Sequence, residues 1–213
     1  MAFLRNGPLL LRIFNYMKQA DAHASPTAND YSGCGLWNNK RVIHMKTLLL
    51  IRHAKSSWEN IHQPDFERSL NERGKQDAPM MANRLRQRGV EIDGFISSPA
   101  KRAQKTCKLF MEVYDMMPEA IQLKSELYLP EPDVFASVIA SLDDRMQHPA
   151  IFSHNPGITL FVNTLCKGVS VDNMPTCAVF AVKLKLNHWK DFRTATKEFW
   201  FMDYPKNPEY RVL

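Results

Sequence analysis

Two histidines, each directly after a run of apolar residues, are the residues of this sequence best suited to covalent chemistry. Arg52-His53 follows the run 48–51, and His154 follows the run 149–153. A neutral imidazole is a competent nucleophile toward phosphorus at pH 7 and can divide a hydrolysis into two easier steps. A protonated imidazole at the second position could bind the same transferring group. The two positions therefore indicate phosphoryl transfer.

Two arginines supply the positive charge that such a reaction needs. A transferring phosphoryl group spreads negative charge over three oxygens, and the planar guanidinium of arginine can bind two of them at once. Arg52 precedes His53 on the same predicted strand, so its side chain starts toward the opposite face and has to curl at the strand end to share the pocket. Arg102 lies at the start of a predicted helix, whose N-terminus also favours an anion. We expect both arginines to bind the phosphoryl group.

Each of these residues, taken alone, also fits an ordinary structural role. An Arg-His pair at a strand end is commonly a surface pair, and Arg102 belongs to the charged run 101–105, which is typical of a solvated helix face. His154 precedes Asn-Pro-Gly, a strong turn signal. The combination of these residues at three strand ends is what favours a phosphate site.

Alternating strands and helices are expected to bring these positions together. The predicted strands cover 48–51, 94–97, 121–124, 149–153, 177–186 and 198–204. The predicted helices cover 71–88, 100–114, 133–146 and 157–166. Pro79 predicts that the first helix starts later than residue 71 or bends. The pattern predicts a three-layer α/β/α sandwich, with a mostly parallel central sheet and an antiparallel C-terminal pair, that binds its ligand beyond the carboxyl ends of the strands.

Three ordered motifs resemble the histidine phosphatase superfamily, which has the phosphoglycerate mutase-like fold. The motifs are Leu50-Ile-Arg-His-Ala-Lys-Ser56, Ser97-Ser-Pro-Ala-Lys-Arg-Ala-Gln-Lys-Thr106 and Ser153-His-Asn-Pro-Gly157. The similarity runs from about Met45 to the C-terminus and is greatest to the compact SixA-like phosphohistidine phosphatase branch. The resemblance implies a phosphohistidine intermediate on His53, a phosphate pocket of Arg52, Arg102 and His154, and a further phosphate contact from Ser56.

The sequence departs from the superfamily pattern in three respects. Ala54 replaces a glycine, and its side chain is expected to narrow the approach to the pocket, whereas Ser69 replaces a proline common in this branch. The segment between Pro99 and His154 has no long insertion of the kind with which phosphoglycerate mutases close over their substrate and carry an acidic proton donor. A mutase is therefore disfavoured. The remaining candidate proton donors are Asp65, Glu126 and Glu131.

Three functions stay open at this point. The first is metal-independent hydrolysis of protein phosphohistidine, in which imidazole is a good leaving group and needs little help from an acid. The second is hydrolysis of a small phosphomonoester by the same mechanism, in which a poorer alkoxide leaving group needs a proton donor. The third is a phosphate-binding module without catalysis. We expect neither a metal nor a cofactor.

Composition limits the class of protein. Of the 213 residues, 45% are hydrophobic and 23% charged, which is typical of a soluble globular protein. No run approaches the roughly 20 apolar residues of a membrane span. A net charge of +6 is weak evidence for a nucleic-acid partner, which we do not expect.

The cysteines form neither a CxxC pair nor a zinc pattern, which indicates a reducing compartment and a cytoplasmic location. They are Cys34, Cys107, Cys166 and Cys177.

Residues 1–44 are expected to lie outside the catalytic domain, which we place at 45–213. Arg12 interrupts the apolar stretch that a secretory signal would need. Met45 directly precedes the first predicted strand, so the preferred interpretation is that translation naturally starts there. A disordered extension and a targeting segment are the alternatives.

Overall fold

A six-stranded sheet forms the centre of the computed structural model, which describes residues 45–59 and 62–208. Its strands are β1 (Met45–Arg52), β2 (Gly94–Ser97), β3 (Gln122–Leu123), β4 (Pro149–Ser153), β5 (Val179–Lys185) and β6 (Lys197–Asp203). The strand order is β3-β2-β4-β1-β5-β6. The first four strands of this order pair in parallel, whereas β5 runs antiparallel to both β1 and β6. The expected mostly parallel sheet with an antiparallel C-terminal pair is confirmed.

Four helices cover the two faces of the sheet. They are α1 (Glu72–Gln87), α2 (Lys101–Val113), α3 (Pro132–Ala140) and α4 (Gly157–Leu165). Successive side chains of a strand point to opposite faces, so Leu48 and Leu50 pack with the residues of α3 and α4, whereas Leu49 and Ile51 pack with those of α1 and α2. The result is the predicted three-layer α/β/α sandwich.

One helix start agrees with the predicted range, and one helix end differs from it. Helix α1 begins directly after Asn71, whose side chain accepts a hydrogen bond from the Gly74 N–H (2.8 Å), so Pro79 lies inside the helix and does not delay its start. Helix α3 ends at Ala140 and not at residue 146. The buried Lys46 ammonium donates to two carbonyl oxygens in the segment that was expected to continue α3 (2.6 and 3.1 Å). These contacts, with the hydrogen bond from the Arg145 N–H to the Asp143 carboxylate (2.9 Å), satisfy backbone groups of this segment without a further helical turn.

The remaining expectations concern the termini, the cysteines and membrane insertion. The predicted N-terminal extension, 1–44, lies outside the described residues, as does Cys34. Cys107 and Cys177 are buried, Cys166 is partly exposed, and all three are free thiols. None of the helices described here is long and apolar enough to cross a membrane.

Candidate active site

Three adjacent parallel strands, β1, β4 and β2, carry the candidate residues to one edge of the sheet. The hydrogen-bonded ladders continue past the strand ends: the His53 N–H donates to the Ser153 carbonyl (3.0 Å) and the Ser98 N–H to the Phe152 carbonyl (3.0 Å). His154 follows β4 directly. The register of the sheet therefore sets the positions of both histidines, and their ring centroids lie 5.0 Å apart.

The His53 side chain is held in the tautomer that leaves a lone pair on Nε2. Its Nδ1 lies 2.8 Å from the Ala54 carbonyl oxygen, to which it can only donate. The hydrogen therefore lies on Nδ1, and Nε2 keeps its lone pair, which accepts from the Arg102 Nε–H (3.3 Å). Burial, together with the charges of Arg102 and Arg52, lowers the pKa of His53 to about 3. At pH 7 the imidazole is neutral and its Nε2 is a nucleophile.

Burial favours the neutral form of His154 as well, whereas the role expected of it was that of a protonated imidazole bound to a phosphoryl group. Burial, together with the neighbouring His53 and Arg102, lowers the pKa of His154 to about 2. Its Nε2 lies 2.7 Å from the Ser98 Oγ, which already accepts from the Ala100 N–H (3.3 Å). In the neutral tautomer in which the Ser98 hydroxyl donates to Nε2, the His154 hydrogen lies on Nδ1. This Nδ1 is buried and has no hydrogen-bond partner in the described part of the chain. In that tautomer it is a donor for a phosphoryl oxygen.

Both predicted arginines line one cavity with the nucleophile. The cavity has a volume of about 460 Å³ and also includes Ser56 and Asp65. Arg52 curls at the strand end, where its guanidinium donates to the Met174 carbonyl (2.6 Å) and its buried Nε has no partner among the residues that the structure describes. An unpaired buried guanidinium N–H is costly, and an anionic ligand would satisfy it.

Asp65 is the one carboxylate among the described residues of this cavity. Its Oδ2 accepts hydrogen bonds from Arg102 (2.8 Å) and from the Tyr128 hydroxyl (2.8 Å), and its Oδ1 accepts from Arg68 (3.1 Å). Partial burial by itself would raise the pKa of Asp65. The hydrogen bonds from Tyr128 and Arg102 and the two arginine charges outweigh that effect and hold the pKa below its usual range. The group is a carboxylate with no proton to donate.

The other two candidate proton donors are exposed and do not line the cavity. They are Glu126 and Glu131. The Ala54 side chain, which was expected to narrow the approach, is fully buried in the core between the sheet and helices α1 and α2 and is absent from the cavity wall. The glycine-to-alanine departure therefore leaves the entrance unchanged.

Sequence reasoning missed three contacts that hold the site together. The Thr106 hydroxyl accepts from the Ala54 N–H (3.0 Å) and donates to the Arg102 carbonyl (2.7 Å), which ties α2 to the end of β1. Arg68 and Tyr128 fix the Asp65 carboxylate. Thr106 ends the second motif singled out in the sequence, but a local pattern gives no indication of its partner Ala54, which lies 52 positions earlier.

A larger cavity, of about 580 Å³, lies away from both histidines of the site. Ionisable groups in its wall have partners, as in the 3.3 Å contact between His148 and Glu91 and the 2.9 Å salt bridge between Arg86 and Asp115. In the residues described, no group of three or more His, Cys, Asp or Glu side chains is arranged to hold a metal ion. The smaller cavity, with its neutral nucleophile and unpaired donors, is therefore the candidate active site.

Comparison with known proteins agrees with this geometry. Residues 48–127 match the model of the histidine phosphatase superfamily (branch 1). Among curated proteins, the 2,3-bisphosphoglycerate-dependent phosphoglycerate mutase of Staphylococcus carnosus is 35% identical over 86 residues, 39% of this chain and 35% of the mutase. The phosphoglycerate mutase of Schizosaccharomyces pombe is 36% identical over 67 residues, 30% of this chain and 32% of the mutase. The chain thus matches about a third of the length of these relatives.

Solved structures resemble a larger part of the chain. The protein histidine phosphatase SixA complexed with tungstate superposes with a TM-score of 0.63 at 22% identity, covering 75% of this chain and 97% of SixA. A protein of Agrobacterium tumefaciens assigned as a SixA phosphohistidine phosphatase gives a TM-score of 0.63 at 22% identity, covering 75% of this chain and 98% of its own. At such identity the likeness establishes the fold. The chain therefore has the fold of these phosphatases, and residues 48–127 are similar to the histidine phosphatase superfamily (branch 1).

Proposed function

We propose that the chain is a metal-independent phosphatase that works through a phosphohistidine intermediate on His53. In the first step the His53 Nε2 lone pair attacks phosphorus, the N–P bond forms, and the bond to the leaving group breaks. In the second step water attacks the phosphohistidine, the N–P bond breaks, and phosphate leaves with the imidazole restored. The neutral state of His53 and the direction of its Nε2 support this assignment.

The groups around the nucleophile suit the charge that develops on the phosphoryl oxygens. Among the described residues, the buried Arg52 Nε and His154 Nδ1 have no partner, and the Arg102 Nε already lies 3.3 Å from the attacking nitrogen. Donors fixed in advance in a water-poor site stabilise a transition state more strongly than mobile ones, because they need no reorganisation as the reaction proceeds. We assign all three to phosphoryl binding.

The substrate that we favour is protein phosphohistidine, and one observation carries this choice. The carboxylate in the cavity, Asp65, is ionised and occupied by three hydrogen bonds, so the site offers no proton for a leaving group. Imidazole leaves well without acid assistance, whereas the alkoxide of an ordinary phosphomonoester does not. The tungstate-bound SixA protein histidine phosphatase, a protein of similar fold, supports the same choice.

A small phosphomonoester is the second candidate substrate, because the curated relatives that match this chain include phosphoglycerate mutases. The mutase reaction itself remains disfavoured. Between β2 and β4 the chain forms α2, β3, α3 and short 3-10 turns, and this segment adds no carboxylate to the described wall of the cavity.

The proposal is tested by comparing hydrolysis of a phosphohistidine-bearing protein and of an alkyl phosphate by the wild type and by His53→Ala, with EDTA present throughout. We expect faster turnover of phosphohistidine, and a loss of about 10³-fold or more in the variant. Preference for the alkyl phosphate would favour the second candidate. Strong inhibition by EDTA would contradict a metal-independent mechanism, and vanadate binding without turnover of either substrate would favour a binding module.

A further inference from the structure

Arg68 is a buried arginine in the wall of the candidate cavity, and the proposed reaction gives it no role. Its Nε donates to the Ser57 carbonyl (3.2 Å), one terminal nitrogen to the Asp65 Oδ1 (3.1 Å) and the other to the Ser56 Oγ (2.9 Å). The centre of the guanidinium lies 3.3 Å from the ring centroid of Trp58, which is itself 66% exposed. Every nitrogen of this guanidinium is engaged, and an aromatic ring covers one of its faces.

The contact with Ser56 decides how that hydroxyl can act. A serine hydroxyl has one hydrogen to donate and oxygen lone pairs to accept with. Because the Arg68 guanidinium can only donate, the Ser56 oxygen is the acceptor in this pair, and no described residue accepts the Ser56 hydrogen. Ser56 is buried and lines the same cavity as Arg52 and His53. Its hydrogen is therefore available to a ligand oxygen in that cavity.

The contact with Asp65 extends to the nucleophile. The same carboxylate accepts from Arg68 through one oxygen and from Arg102 through the other, and the Arg102 Nε–H reaches the His53 Nε2. Two guanidinium groups, those of Arg68 and Arg102, share the Asp65 carboxylate. The three groups together keep one net positive charge at the cavity. Without Arg68, Asp65 would neutralise Arg102.

We propose that Arg68 is a positioning residue of the phosphoryl pocket, which holds the Ser56 hydroxyl as a donor toward the phosphoryl oxygens and holds Asp65 where it orients Arg102. This inference rests on one part of the proposed function, that the cavity binds a phosphoryl group, and does not require that the group be hydrolysed. It adds that Arg68 raises the affinity for that group through the positions of Ser56 and Asp65.

The loop can keep its backbone when Arg68 is replaced, which makes the proposal testable. The Ser57 N–H donates to the Ser69 carbonyl (2.9 Å), and the Asn71 N–H donates to the Lys55 carbonyl (3.0 Å). These bonds join the two segments independently of the Arg68 side chain. Lysine keeps the charge of Arg68, but as a single ammonium it cannot reproduce the planar fork that serves two partners.

The experiment measures the dissociation constant of vanadate by calorimetry, which needs no turnover. We expect Arg68→Lys, Arg68→Gln and Ser56→Ala each to weaken vanadate binding about tenfold, the loss of one charge-assisted hydrogen bond. Because the two side chains act together, their effects on vanadate affinity should not multiply. In the double variant Arg68→Gln/Ser56→Ala, the fold-loss of affinity should be smaller, by about threefold or more, than the product of the two single fold-losses. The matched control is Arg193→Lys. Arg193 is exposed, is paired with Asp133 and does not line the cavity, so this variant should bind vanadate like the wild type.

Three results would overturn the inference. One is unchanged vanadate affinity in both Arg68 variants, with melting temperatures close to that of the wild type. Another is a double variant whose loss equals the product of the single losses. The third is a wild type that does not bind vanadate, which would remove the phosphoryl pocket itself and with it the proposed function. A wild type that binds vanadate tightly but hydrolyses nothing would contradict the proposed function alone, and coupled losses in the variants would then still support the role of Arg68.

Discussion

Burial favours the neutral form of both histidines in the candidate site. Their hydrogen-bond partners therefore decide what each ring nitrogen can do. His53 has its hydrogen fixed on Nδ1 by the Ala54 carbonyl, which leaves a lone pair on Nε2 for attack. His154 has its Nε2 engaged by Ser98, which leaves its buried Nδ1 for binding. In the proposed mechanism the neighbouring hydrogen-bond partners, and not a difference in charge, separate the nucleophile from the donor.

At the residue scale, the structure predicts that Asp65 orients Arg102 and does not supply a proton. In Asp65→Asn the neutral amide cannot hold two guanidinium groups in the same way, so kcat/KM should fall about tenfold. The fall should be similar for phosphohistidine and for an alkyl phosphate, because both need Arg102. Steady-state kinetics on the two substrates measures this.

A proton donor would behave differently. Its removal would slow hydrolysis of the alkyl phosphate far more than that of phosphohistidine, and such a split would contradict the assignment of Asp65. Glu126→Gln is the control for loss of an acidic side chain, because Glu126 is exposed and outside the cavity wall. Its kinetics should match those of the wild type on both substrates.

Helix α1 packs against the loop that carries Ser56 and so positions one part of the cavity wall. A methyl group added at Gly74, in the first turn of α1, would lie 2.2 Å from the Lys55 carbonyl oxygen. That approach is too close for any side chain, so Gly74 lets the helix pack directly on the loop that carries Ser56. The loop and the helix therefore act as one unit.

At the element scale, Gly74→Ala should displace this loop. We expect the free energy of unfolding to fall by about 1–3 kcal/mol and vanadate affinity to fall several-fold, on the order of one lost hydrogen bond. Gly89→Ala is the matched control: its φ of 70° makes alanine strained, but no atom lies within 4 Å of the added methyl group. It should cost about 1 kcal/mol without changing vanadate affinity. Equal affinities of the two variants would contradict the coupling between α1 and the loop.

The elements themselves could be predicted from the sequence because their signals are local. Apolar runs located β1, β2 and β4, and Asn71 located the start of α1. The end of α3 could not be predicted, since the contacts made there involve Lys46, almost 100 positions earlier. The Tyr128 bond to Asp65 spans 63 positions and follows no periodic pattern. Sequence patterns showed which residues meet at the sheet edge, whereas their charge states depended on packing.

At the scale of the whole molecule, the two buried histidines should make stability depend on pH. Their pKa values in the folded chain are about 3 and about 2, below the usual value of 6.5. Above pH 6.5 neither the folded nor the unfolded chain binds these protons. As the pH falls from 6.5 toward 3 only the unfolded chain binds them, so the free energy of unfolding should decrease.

Urea unfolding at pH 7 and pH 4.5 measures this effect. The wild type should lose more stability over that interval than the double variant His53→Gln/His154→Gln, because glutamine does not titrate. Equal losses in the two proteins would mean that the histidines bind protons as readily when folded as when unfolded. That result would contradict their neutrality in the folded site.

The central claim, a covalent intermediate on His53, is tested most directly by trapping it. The enzyme is mixed with a phosphorylated substrate carrying labelled phosphorus, quenched in alkali within milliseconds and digested for mass spectrometry. We predict one phosphoryl group on the peptide that contains His53, lost on mild acid treatment and absent in His53→Ala. Label on another residue, or single-turnover hydrolysis with no labelled enzyme at any time, would contradict the mechanism.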